Sequence, residues 1–83
     1  MNQTNESWQQ RRQRIVSPGV GHSLPVYTGK ACNAELWDVE GRRYIDFASG
    51  IAVLNTGHNH PRVIAAVKAQ LERFTHSCFQ VTP

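Results

Sequence analysis

The sequence predicts an α+β fold in which an N-terminal helix is followed by a β-hairpin, an apolar loop and a second helix. Residues 5–15 are rich in Gln and Arg, which form helices readily. Residues 34–38 alternate for a few positions, and residues 43–47 are rich in aromatic and β-branched side chains; with a short turn between them, this pattern is typical of a hairpin. From residue 61 onward, apolar side chains recur at helical spacing.

The first helix is expected to end at residues 17–21. Pro18 cannot continue a helix, and the glycines that follow it favour a loop. Within the helix, Trp8, Arg12 and Ile15 fall at i, i+4 and i+7, which predicts a narrow apolar stripe along one face.

The hairpin turn is expected at residues 39–42, where Gly41 can take the positive φ that such a turn requires. Lys30, before the first strand, is placed in a turn. Residues 48–56, after the second strand, are small and mostly apolar without a clear period, which predicts a loop that approaches a ligand or another part of the chain closely. Ordinary core packing is the plainer interpretation of the same residues.

The second helix is expected to begin at Pro61, which suits the first helical position, with Asn59 or His60 as its cap. It is expected to run to about Phe74 and to be followed by a mixed tail over residues 75–83. One face of this helix is apolar and comprises Val63, Val67, Leu71 and Phe74.

The predicted elements make only a thin core. The chain has 83 residues and a mass of 9.3 kDa, and a domain of this size is marginally stable at best. A two-stranded hairpin is hardly stable alone in water. We therefore expect residues 1–83 to be one segment that docks on a larger body.

The cysteine content and the N-terminus favour a cytoplasmic protein. Cys32 and Cys78 are not in a paired pattern, which is typical of free thiols in a reducing compartment. Residues 1–14 are polar and contain no apolar leader. No run approaches the roughly 18 apolar residues that would predict a membrane span.

The net charge of +3 is concentrated in a short basic cluster. A nucleic-acid site would need a broader basic face or a known binding module, so a solvated helix face is the favoured interpretation. An Arg-rich transit peptide stays open, although Glu6 and the scarcity of Ser count against it. The cluster consists of Arg11, Arg12 and Arg14.

No set of residues predicts a metal site or a catalytic group from spacing alone. The spacing of the His and Cys residues does not match a zinc finger. Lys30 and Lys68 are the only lysines, and both are expected to be ordinary surface residues rather than desolvated Schiff-base lysines. The metal-like residues are His58, His60, His76 and Cys78.

Three motifs resemble a known family. The motifs are W-D-V-E-G-R at residues 37–42, Y-I-D-F at 44–47 and G-I-A-V-L-N-T-G-H-N-H-P at 50–61. In this order they resemble the opening of class-III aminotransferases, and the resemblance extends over roughly residues 6–82. Residues 18–21, 50–58 and 76–81 further look like bacterial 4-aminobutyrate aminotransferases, with acetylornithine or ornithine enzymes as the alternative.

The resemblance implies a fold-type-I enzyme that depends on pyridoxal 5'-phosphate and forms a homodimer or a tetramer of dimers. Residues 1–83 would supply the N-terminal helix, the hairpin and a helix of its small domain. The complete enzyme would move the amino group of 4-aminobutyrate, or a related ω-amino acid, to 2-oxoglutarate through a Schiff base, giving succinate semialdehyde and glutamate. Neither a nucleic acid nor a membrane is expected as a partner.

The resemblance also implies two substrate-binding residues. Ile51 matches a position that packs against the aliphatic chain of the substrate, and Gln80 matches a position near the active site. The Schiff-base lysine and the cofactor-binding residues of the family match nothing among these 83 residues, so the segment alone is expected to be inactive. Residues 81–83 break off without a helix stop, which favours a piece of an enzyme over a free-standing interaction module.

Overall fold

The computed structural model describes residues 3–83, and it confirms the predicted α+β class. Along the chain, a three-stranded antiparallel sheet in the order β1-β2-β3 follows an N-terminal helix and precedes a C-terminal helix. The elements along the chain are α1 (Asn5–Ile15), β1 (Thr28–Cys32), β2 (Glu35–Asp38), β3 (Arg43–Ile45), α2 (Ser49–Ala52) and α3 (Pro61–Leu71).

Helix α1 has the predicted bounds and a reciprocal cap at its start. The Thr4 hydroxyl accepts a hydrogen bond from the Ser7 amide at 3.0 Å, and the Ser7 hydroxyl accepts one from the Thr4 amide at 3.0 Å. The predicted apolar stripe is only partly used. Trp8 is half-buried and stacks on Tyr27, whereas Ile15 is 70% exposed.

Strand β1 was not predicted, and it corrects the placement of Lys30 in a turn. Lys30 pairs with Trp37 of β2, and the register shifts beside it at Gly29. A Cβ on Gly29 would lie 3.2 Å from the Asp38 carbonyl oxygen, so the two strands approach closely there. Pairing with β2 stabilises a segment whose Gly and Lys residues have low strand propensity.

The predicted hairpin is confirmed, with slightly shorter strands. Trp37 lies opposite Arg43 and Leu36 opposite Tyr44. Gly41 has a φ of +86°, as the turn was expected to require.

The carboxylate of Asp38 organises this turn. The side chain is buried, and its Oδ1 accepts the amides of Glu40 and Arg42, both at 2.9 Å. Its Oδ2 accepts the Tyr44 hydroxyl at 3.1 Å and the Arg42 Nε at 3.2 Å. Burial alone would raise the pKa of Asp38, but these bonds and one from the Asn5 side chain hold the pKa far below its usual value.

Helix α1 is attached to the turn through its first residue, Asn5. The Asn5 Nδ2 donates to Asp38 Oδ2 at 3.0 Å and to Glu40 Oε2 at 2.8 Å. Its Oδ1 accepts the Tyr27 amide at 2.8 Å. One buried amide side chain thus joins the helix, the turn and the residue that precedes β1.

Helix α3 begins at Pro61 as predicted and ends at Leu71, about three residues before the expected end. His60 is the cap, because its Nδ1 accepts the Arg62 amide at 3.2 Å. Asn59, the alternative cap, instead donates to the Ala31 carbonyl at 3.0 Å. Within residues 3–83, no helix is long and apolar enough to cross a membrane.

The apolar side chains are only partly covered by the rest of the described residues. Among the residues that the structure describes, no hydrophobic side chain is buried. The predicted apolar face of α3 is about half exposed at Val63 and Val67. This arrangement is what a segment of a larger body would show.

Candidate functional site

The apolar loop (residues 46–58) is closed at its base by the connection between β1 and β2. The backbones of Asn33 and His58 exchange two hydrogen bonds, at 3.0 and 2.9 Å. At the other end of the loop, the Asp46 amide donates to the Ala34 carbonyl at 2.8 Å. The loop therefore leaves the sheet and returns to it at neighbouring residues.

The loop begins with a left-handed turn where only an irregular loop was predicted. The four residues of α2 have positive φ: 49° at Ser49, 60° at Gly50, 60° at Ile51 and 59° at Ala52. The Ala52 amide donates to the Ala48 carbonyl at 2.9 Å, which closes the turn. Left-handed backbone costs about 1–2 kcal/mol for each residue with a Cβ, and most for a β-branched residue such as Ile51.

A strained turn persists only where its surroundings determine it, and here Asp46 supplies that support. Its Oδ1 accepts the Ser49 amide at 3.0 Å, and its Oδ2 accepts the His58 Nε2–H at 2.6 Å. The bond from His58, followed by that from Ser49, lowers the pKa of Asp46. We call this hydrogen-bonded pair the Asp46–His58 clasp.

Gly57 fixes the second end of the loop. Its φ is +77°, and a Cβ there would lie 3.0 Å from the Asn33 Cα and 3.1 Å from the Asn33 oxygen. Only glycine fits this close approach without a shift of the backbone. The adjacent His58 is thereby held against the sheet.

The loop presents Ile51 outward. The Ile51 side chain is 87% exposed, although it is apolar and lies on a strained turn. Gln80, the second expected site residue, is exposed on the tail, in a turn closed by bonds from the Val81 and Thr82 amides to the Cys78 carbonyl. No hydrogen bond within residues 3–83 joins the tail to the apolar loop.

The clasp is not among the contacts predicted from the sequence. Asp46 and His58 both lie in the family motifs, but His58 was considered as one of the metal-like residues. The signal was the pairing of an acid directly after a strand with a His directly after a glycine, twelve residues later.

Two of the four metal-like residues make hydrogen bonds that serve other roles. His58 bonds Asp46 and His60 caps α3. Over the described part of the chain, no three His, Cys, Asp or Glu side chains are grouped as metal ligands would be.

The lysines do not fit the Schiff-base position of a pyridoxal-phosphate site. Lys30 is exposed on β1 with its Nζ 4.9 Å from the centre of the Trp37 ring, and Lys68 is exposed on α3. A Schiff-base lysine has to be desolvated, whereas both of these lysines are exposed within residues 3–83.

Comparison with known proteins gives a consistent match. The family model described as aminotransferase class-III matches residues 15–83. The chain is 62% identical to the 5-aminovalerate aminotransferase DavT of Pseudomonas aeruginosa over 81 residues, which are 98% of this chain and 19% of that protein. It is 55% identical to the 4-aminobutyrate aminotransferase GabT of Escherichia coli over 78 residues, 94% of this chain and 18% of that protein.

Solved structures share the fold. An acetylornithine aminotransferase from Elizabethkingia anophelis superposes with a TM-score of 0.86 at 27% identity, covering 94% of this chain and 19% of that one. An ornithine aminotransferase from Toxoplasma gondii gives a TM-score of 0.84 at 35% identity, covering 95% and 18%. The chain thus spans about a fifth of the length of the relatives it matches.

Proposed function

The chain belongs to the class-III aminotransferases, and from this premise we propose that residues 1–83 form the N-terminal segment of a transaminase that depends on pyridoxal phosphate. The segment would be part of the small domain of that enzyme. The observation that carries the proposal is the match to the family model over residues 15–83.

We propose an ω-amino acid as the amino donor, with 4-aminobutyrate first and 5-aminovalerate beside it, and 2-oxoglutarate as the acceptor. The relatives at 55% and 62% identity carry these two donors in their names. The donors differ by one methylene, which an apolar wall discriminates by only about 1–3 kcal/mol. One apolar loop is therefore compatible with both.

Pyridoxal phosphate would act as the electron sink of the reaction, and residues outside this segment would hold it. The contribution of this segment is to shape the substrate side of the site. An exposed apolar side chain on a stiff turn, Ile51, suits a wall against an aliphatic chain. Gln80 would offer an exposed amide at the mouth of the active site, and it makes no side-chain hydrogen bond to the rest of residues 3–83.

The first experiment is an intact-mass measurement of the native protein that carries this N-terminus, followed by a transaminase assay. A mass several times 9.3 kDa, with amino transfer from 4-aminobutyrate or 5-aminovalerate to 2-oxoglutarate, is the expected result. A product of 9.3 kDa would contradict the proposal and would favour an interaction module. A long protein that is inactive with both donors would contradict the substrate assignment.

The role of Ile51 is tested by Ile51→Gln in the complete enzyme. The polar side chain would break the apolar wall, so we expect a higher KM for 4-aminobutyrate and a lower kcat/KM, by roughly 10-fold or more. Val53→Gln is the matched control, because Val53 is an exposed aliphatic residue of the same loop but lies outside the left-handed turn. Unchanged kinetics in Ile51→Gln would remove Ile51 from the site.

A further inference from the structure

We propose that the Asp46–His58 clasp is a positioning device that holds the left-handed turn so that Ile51 meets the substrate. This inference rests on the proposed function of Ile51. Asp46 and His58 are positioning residues here, because they act through the turn and not on the reacting atoms.

The turn does not determine its own conformation. Three of its four residues, Ser49, Ile51 and Ala52, carry a Cβ and still have positive φ. Its internal hydrogen bonds, from the Ala52 and Val53 amides to the carbonyls of residues 48 and 49, are those of one isolated turn. A single turn fixes many dihedral angles for few bonds and is unfavourable without outside support.

The outside support comes through Asp46. One oxygen of its carboxylate binds the amide that opens the turn, and the other binds the His58 ring at the far end of the loop. His58 is itself anchored by two backbone hydrogen bonds to Asn33. The turn is thereby connected to the sheet by a continuous set of bonds.

No other ionisable side chain lines the cavity that the clasp borders. This cavity has a volume of about 260 Å³ and lies beneath the turn, and among the residues that line it only Asp46 and His58 ionise. Both side chains are largely covered, with exposed fractions of 9% and 22%. No competing charge lines the cavity to replace either partner, so loss of one partner releases the turn.

The test is a double-mutant cycle in the complete enzyme with His58→Ala, Ile51→Ala and the two combined. Ile51→Ala is expected to raise KM for the donor about 10-fold. His58→Ala is expected to raise KM by a larger factor than the factor by which it lowers kcat. The combined variant is expected to be no worse than Ile51→Ala alone, because the clasp acts through that side chain.

A second readout does not depend on activity. Hydrogen exchange at the Ala52 and Val53 amides is expected to speed up about tenfold in His58→Ala, since a charge-assisted bond is lost. Asn59→Ala, which removes a neighbouring hydrogen bond outside the clasp, should leave those two amides unchanged. Asp46→Asn is the conservative variant. It should keep exchange at these two amides slow, because the Asn amide can still accept from Ser49 and donate to a neutral His58.

The outcomes separate the two proposals. Unchanged exchange in His58→Ala would overturn the clasp, whatever Ile51 does. Faster exchange together with fully additive KM effects would overturn its action through Ile51. An unchanged KM in Ile51→Ala would overturn the proposed function of that residue and, with it, the link from the clasp to the substrate.

Discussion

Two glycines with positive φ, Gly41 and Gly57, differ in what surrounds them. A Cβ on Gly41 would meet no atom within 4 Å, whereas one on Gly57 would lie 3.0–3.2 Å from the Asn33 backbone. Gly41→Ala is therefore expected to lower the free energy of unfolding of the complete enzyme by about 1–2 kcal/mol, from backbone strain alone. For Gly57→Ala, overpacking adds about 1–3 kcal/mol. Urea denaturation of both variants checks this, and equal losses would contradict it.

At this scale, residue type predicted some conformations and not others. Gly41 was expected to have positive φ because glycine tolerates it and the turn needs it. Nothing in the sequence indicates positive φ at Ile51, since a β-branched residue disfavours it. The clasp was not predicted despite its sequence signal, because twelve residues separate its partners and only the fold brings them to 2.6 Å.

Among the elements, α1 is attached to the turn through the buried side chain of Asn5. Asn5→Ala would remove the hydrogen bonds from its amide to Asp38 and Glu40. Hydrogen bonds to charged groups contribute about 1.5–3 kcal/mol each, so we expect a loss of at least that size in the free energy of unfolding. Gln10→Ala is the control, because its bond to Glu6 is exposed. Equal losses of stability in the two variants, measured by thermal unfolding, would contradict this role.

The attachment of α1 is also expected to depend on pH. The pKa of Asp38 is lowered in the folded state, so its contribution is fully present above the ordinary carboxyl pKa of 3.8 and is lost as the pH falls below that value. Between pH 5 and about pH 3, the original protein should lose more stability than Asp38→Asn, which cannot titrate there. Parallel pH profiles of the two proteins would show that Asp38 is not responsible.

The elements differed in how well the sequence indicated them. Helix α1 was predicted from its composition and α3 from its cap and apolar spacing. Strands β2 and β3 were predicted from their aromatic residues and from Gly41. Strand β1 was missed because its Gly and Lys residues give no local signal, and it forms only through pairing with β2. Local rules cannot report such pairing.

For the whole molecule, the absence of any buried hydrophobic side chain in residues 3–83 has a direct consequence. Purified residues 1–83 are expected to aggregate or fold poorly, and not to bind pyridoxal phosphate. Gel filtration, thermal unfolding and the absorbance of added cofactor check this. A sharp thermal transition in a soluble monomer would contradict it.

The architecture of the molecule was predictable because family motifs lie in order along it, and superposition on solved aminotransferases confirms the fold. The position of Gln80 relative to Ile51, in contrast, was not predictable from the sequence. The tail has no sequence pattern that would pair it with the apolar loop, and it makes no hydrogen bond to that loop within the described residues.

The uncovered apolar face of α3 also matters during protein synthesis. If residues 1–83 open a protein as long as the relatives they match, about four-fifths of that protein is synthesised after them. At about 5–20 residues per second, synthesis of those residues takes on the order of half a minute, and the apolar face of α3 stays exposed during that time. During that time the exposed face favours aggregation of the incomplete chain, which is the hazard that chaperones limit.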